Sequence, residues 1–123
     1  MQKQTALVLT IGDTSFIIAL ADTEAARNLS SRLPLRLEMA ELNGNEKYAS
    51  LGSPLPAKAE TVRRIEAGDV MLWGNDCLVV FYKSFDTTYS YTRIGHIVDA
   101  RELAKAVGKG NVLVSIHPQT TQE

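Results

Sequence analysis

The chain has 123 residues, 45% hydrophobic and 22% charged, with a formal net charge of −1. That balance suits one folded domain, excludes disorder, and leaves no basic surface for nucleic acid or an anionic membrane. One cysteine excludes an internal disulfide, and no stretch approaches the roughly 18 apolar residues of a membrane span.

The opening Met-Gln-Lys-Gln-Thr leads straight into an alternating strand and does not resemble a signal peptide, so a cytoplasmic location is expected. Residues 5–11 and 15–20 read as strands joined at Gly12-Asp13, with Leu7, Leu9, Phe16 and Ile18 as core candidates. Asp22 or Thr23 offers an N-cap, and Ala25, Ala26, Leu29 and Leu33 recur at helical spacing before Pro34 ends the helix. Leu35-Arg36-Leu37-Glu38-Met39 alternates strictly, which sets Arg36 and Glu38 on the face opposite the apolar residues. A turn at Asn43-Gly44-Asn45 precedes a short strand over residues 48–51, and residues 52–60, with Pro54 and Pro56, read as a surface loop.

Two apolar runs, Asp69-Val70-Met71-Leu72-Trp73 and Cys77-Leu78-Val79-Val80-Phe81, flank the turn-forming Gly74-Asn75-Asp76. They predict a β-hairpin. Residues 78–81 do not alternate, so burial on both faces is expected. A polar aromatic loop over residues 85–91 leads to a strand over residues 92–98. Asp99 is then placed as the cap of a second helix, which Gly108 stops, and a last strand covers residues 111–117. The expectation is an all-β fold, a β-barrel with two short helices plugging its ends, over residues 1–118, with a disordered tail at 119–123. Leu9, Phe16, Ile18, Leu37, Leu72, Val79, Phe81, Val114 and Ile116 are expected to share one core.

A hairpin followed at once by a helix over residues 7–33 resembles the opening of cyclophilins. Residues 69–83, then Arg93-Ile94-Gly95-His96-Ile97, then residues 99–107 are similar to their later barrel strands and second helix. With Ala67-Gly68-Asp69-Val70 and Phe81-Tyr82-Lys83, the likeness spans residues 6–116. The whole chain resembles the small bacterial proteins of the cyclophilin-like fold family, whose biochemical role is not established. The resemblance implies a cyclophilin-like closed barrel.

Cyclophilins isomerise prolyl bonds. That chemistry needs a dry groove and a donor, usually arginine, aimed at the proline nitrogen of a twisted amide. The arginines to weigh are Arg36, Arg63, Arg64 and Arg93, with Arg36 beside Glu38 the best placed. The cyclophilin signature Phe-His-Arg-Ile leading to Phe-Met-x-Gln-Gly-Gly-Asp is absent, so no catalytic arginine carries over. His96 and His117 lack metal spacing, and His96 reads as a hydrogen-bonded structural histidine. Cys77 has no histidine or lysine beside it and reads as a buried, inert thiol. Gly108-Lys109-Gly110 follows a helix and precedes a strand, the reverse of a phosphate loop, while Asp69, Asp76, Asp86 and Asp99 stand at turns or caps.

The aromatic loop carries the functional expectation. Exposed tyrosines give apolar contact with a hydrogen-bonding tip, which suits a groove. A groove is expected on the outer barrel face, between the segments 46–60 and 85–91, with Arg36, Glu38, Tyr48, Trp73, Tyr82, Tyr89, Tyr91 and Arg93 as ligand-binding residues. Lys58, Arg63 and Arg64 would add a cationic rim. The competing reading packs the aromatics over a barrel end. The expected partner is a small molecule or an extended peptide, without nucleic acid, membrane, metal or cofactor. The alternative is a divergent enzyme such as a weak prolyl isomerase, or a hydrolase using Arg36 and Glu38.

Overall fold

The computed structural model describes residues 6–119. In chain order the elements are β1 (Ala6–Ile11), β2 (Thr14–Leu20), α1 (Glu24–Ser30), β3 (Leu35–Leu42), β4 (Glu46–Ser50), β5 (Glu60–Thr61), β6 (Arg64–Ile65), β7 (Asp69–Trp73), β8 (Cys77–Phe81), β9 (Phe85–Asp86), β10 (Ser90–Ile97), α2 (Leu103–Val107) and β11 (Val112–Pro118). The strands run β2-β1-β11-β3-β4-β8-β7-β10, and a β2–β10 pairing closes them into an eight-stranded antiparallel barrel. β5 adds to β10, and β6 with β9 forms a separate ribbon. Closure leaves no free edge among the eight strands.

Local chemistry sets the elements. Gly12 and Gly74 take positive φ at the two hairpin turns, where a side chain would be strained. The Thr23 hydroxyl caps α1 by accepting from the Ala26 amide and itself donates to the Arg93 carbonyl on β10, fastening the helix to the barrel. α2 begins later than its sequence suggests. Glu102 stands at its N-cap without a side-chain bond, and Asp99 is occupied instead by the amide and guanidinium of Arg101. Both helices turn apolar faces to the barrel interior, through Ala25 and Leu29 and through Leu103 and Val107.

Burial departs from a single core. Leu9, Phe16, Ile18, Leu72, Val114 and Ile116 do share the interior, with Leu37 half-buried against it. Val79 and Phe81 instead point outward and join Val62, Ile65, Met71 and Tyr91 in a second cluster. The reason is the period of a strand: Leu78 and Val80 take the inner face, so their neighbours must take the outer one. Residues 62–65, with Phe85, cover that outer face. Residues 1–5 fall outside the described residues, as does the expected tail apart from Gln119, whose amide reaches the Ala6 carbonyl. No helix among the described residues is long and apolar enough to cross a membrane.

Candidate functional site: an aromatic trough over the outer barrel face

Beside the outer cluster the barrel wall opens into a cavity of about 330 Å³ lined by Leu42, Asn43, Glu46, Tyr48, Trp73, Cys77, Val79, Tyr89 and Tyr91. The ladder explains the grouping. Leu42 lies opposite Glu46, Tyr48 opposite Val79, and Trp73 opposite Cys77, so neighbouring strands present one outward row after another. Tyr89 arrives from the segment before β10 and meets Trp73 edge-on at 5.5 Å, with Trp73 and Tyr91 at 5.8 Å. Tyr91 in turn meets Phe81 at 5.5 Å, and Phe81 meets Phe85 at 5.6 Å. The aromatic chain therefore starts in solvent and ends in the covered cluster.

The walls differ in what they expose. Trp73 is 48% exposed, Tyr89 60% and Leu42 41%, whereas Tyr91 is 5% exposed. Only two other large apolar side chains are comparably exposed among the described residues, Val98 and Leu113, so exposed apolar surface concentrates here.

Glu46 supplies the one carboxyl of the lining, beside the Asn43 amide. It is 8% exposed, and its carboxyl makes no side-chain hydrogen bond to a described residue. Burial, and then the charge of Glu41, raises its pKa from 4.5 to about 7. Burial also raises the Tyr91 hydroxyl, with the Glu46 charge second, and the Cys77 thiol, with Asp76 and then Glu46 next. Cys77 is half-buried and lines the trough, so it is less enclosed than the sequence suggests, while its raised pKa keeps it a thiol.

The neighbouring residue points the other way. Lys47 is completely buried and extends through the barrel interior, where its ammonium donates to the Gly108 carbonyl at 2.9 Å and the Gly110 carbonyl at 2.5 Å. It also pairs with Glu41 at 2.9 Å. Tyr82 donates to the same Glu41 carboxylate at 2.7 Å, and its ring lies 5.5 Å from the Lys47 ammonium. Burial, then that bond to Glu41, pushes the Tyr82 hydroxyl up to about 12.

Of the eight residues singled out in the sequence, the structure brings Tyr48, Trp73, Tyr89 and Tyr91 together. Tyr91 belongs to β10 and not to the loop before it. Tyr82 is drawn into the Glu41–Lys47 network. Arg93 shares the outer face but turns to Glu60 at 3.6 Å. Arg36 and Glu38 are exposed on β3, paired with β11, outside the trough lining. Glu46 and Lys47 were missed. They fall between the turn expected at residues 43–45 and the strand expected at 48–51, whereas β4 starts at Glu46 and its alternation sets Glu46 and Tyr48 on one face.

Other groups are structural in their contacts. His96 shares a 2.8 Å hydrogen bond with Asp69, which also accepts from the Glu66 amide. No three His, Cys, Asp or Glu side chains among the described residues converge to hold a metal.

The sequence model of the cyclophilin-like family matches residues 9–117. The chain belongs to the cyclophilin-like family. It is similar in structure to a hypothetical protein from Archaeoglobus fulgidus known from a solution structure, with a TM-score of 0.56, 18% identity, and coverage of 94% of this chain and 95% of that one. At that identity the likeness concerns the fold alone. No curated protein matches the sequence.

Proposed function

We propose that this protein is a cytoplasmic cyclophilin-like domain that binds a small ligand or an extended peptide in the aromatic trough, without catalysis. The observation that carries the reading is the gathering of Trp73, Tyr89 and Leu42, all well exposed, around a concavity that also holds the Glu46 carboxyl. Exposed aromatic surface costs free energy in water and is recovered when a ligand covers it. A volume of about 330 Å³ sits at the lower end of small-molecule pockets. Support for binding over isomerisation or hydrolysis comes from Arg36 and Glu38, which lie outside this concavity and do not converge in a dry cleft.

The test is a thermal melt of the full chain against metabolites and short peptides. A binder at a hundred times its Kd should stabilise the fold by about 2.7 kcal/mol. The shift should shrink in Tyr89→Ala, whose side chain is too exposed to matter for folding. A ligand whose effect is untouched by Tyr89→Ala and Trp73→Phe would place binding elsewhere and overturn the reading.

A further inference from the structure

The trough has one feature that aromatic walls alone do not explain, a carboxylate set into its floor without a countercharge. Glu46 is 92% buried by its 8% exposure, and its carboxyl bonds to no described side chain or amide. The nearest lysine in sequence, Lys47, is committed inside the barrel to two carbonyls and Glu41. Arg93, on the same outer face, is turned to Glu60. Its oxygens are not sealed from the trough, and a carboxylate so largely withdrawn from water gains from a cation or a proton beside it. The trough's walls are also suited to positive charge, because the faces of tryptophan and tyrosine attract cations.

We infer that the trough recognises an organic ammonium group, its charge set against the Glu46 carboxylate and its carbon body against Trp73, Tyr89 and Tyr91. The inference rests on the binding reading above and names the chemistry it would serve. A metal ion fits less well, since no three His, Cys, Asp or Glu side chains converge there among the described residues.

The pH dependence follows from the surroundings of Glu46. The titratable groups around it are Glu41 from β3, Tyr48 and Lys47 from its own strand, Cys77 from β8, Tyr82 after β8, and Tyr89 and Tyr91. Tyr82, Tyr91 and Cys77 are all held more firmly protonated than usual, so Glu46 is the member that changes charge near neutrality. An ammonium ligand selects the ionised carboxyl and should expel its proton on binding.

Trp73 is the chain's one tryptophan, so intrinsic fluorescence reports on the trough directly. The probes are 2-phenylethylammonium chloride, its neutral counterpart 2-phenylethanol, and a blocked alanine pentapeptide with lysine at its centre, titrated into the full chain. At pH 8 one or both ammonium probes should bind at least about tenfold more tightly than the alcohol. Which of the two does so separates a free amine from a peptide lysine as the source of the group. At pH 5.5 the ammonium preference should fall by about tenfold or more as Glu46 takes up its proton. Glu46→Gln should remove both the preference and its pH dependence, and the wild-type pH series tests the same point should that variant fail to fold. Equal binding of alcohol and amine would overturn the ammonium inference and leave the binding reading standing. An ammonium preference that survives in Glu46→Gln would overturn the role of Glu46. No fluorescence response to any probe would count against both readings.

Discussion

Glu41 and Glu46 stand five residues apart and respond to folding in opposite directions. Burial favours a raised Glu41 carboxyl, but the Lys47 ammonium and the Tyr82 hydroxyl hold it below its usual range. Glu41 therefore adds stability above the unfolded carboxylate pKa and loses it as pH falls. Glu46 has its folded pKa raised to about 7, so its contribution is full below about pH 4.5 and is lost as pH rises through 7. The loss is on the order of 3 kcal/mol, at about 1.36 kcal/mol per tenfold change in proton affinity. Glu46→Gln should abolish that alkaline decline, which denaturant melts at pH 5 and pH 8 would read. An unchanged decline would place its source elsewhere. The tyrosines of the trough separate in the same way by burial. Tyr89→Ala should change stability by less than about 0.5 kcal/mol, as at a surface position, whereas Tyr91→Ala should cost more than about 2 kcal/mol. Equal effects in the two variants would contradict the 60% and 5% exposures.

At the scale of elements, β4 and β8 show how one strand serves two environments. Phe81 is fully buried although it points out of the barrel, because residues 62–65 and Phe85 cover it. Phe81→Ala should still cost about 3–5 kcal/mol, and a change below about 1 kcal/mol in denaturant melts would place it at the surface. Lys47→Met should cost about 3 kcal/mol or more, since it leaves two carbonyls and a carboxylate without their cation. A neutral outcome would show those groups hydrated instead. Both hairpins were legible from Gly12-Asp13 and Gly74-Asn75-Asp76, because turn chemistry is local. Double-sided burial of β8 was legible too, and it already implied a layer outside the barrel. What that layer consists of was not: β5, β6 and β9 are two residues long and carry no periodicity to read. Lys47 was hidden for a related reason, since the carbonyls that hold it come from residues 61 and 63 positions later. Tyr48, Trp73, Tyr89 and Tyr91 were found by residue type, but the Glu46 floor between them depends on cross-strand register.

For the whole molecule, the barrel forms one continuous wall, and its seam is where chain ends of the sheet meet. Gly95, His96 and Ile97 of β10 pair there with Leu20, Ala19 and Ile18 of β2, so the last of eight strands is held to the first by a short ladder. A Cβ at Gly95 would stand 2.6 Å from the Ala19 carbonyl oxygen and 2.7 Å from Ile18 Cγ2. β10 also shifts register between Arg93 and Gly95, which makes room for Ile94 to turn inward. Gly95→Ala should therefore act on this seam before it acts on the core. A parted seam does not simply loosen the protein; it creates two unpaired strand borders, each a template for the matching border of another copy. The expected signature is concentration-dependent self-association at temperatures where the wild type stays monodisperse, seen by light scattering while far-UV circular dichroism still reports sheet. A Gly95→Ala protein that melts earlier but scatters no more than wild type would show that the ladder can part without joining copies edge to edge.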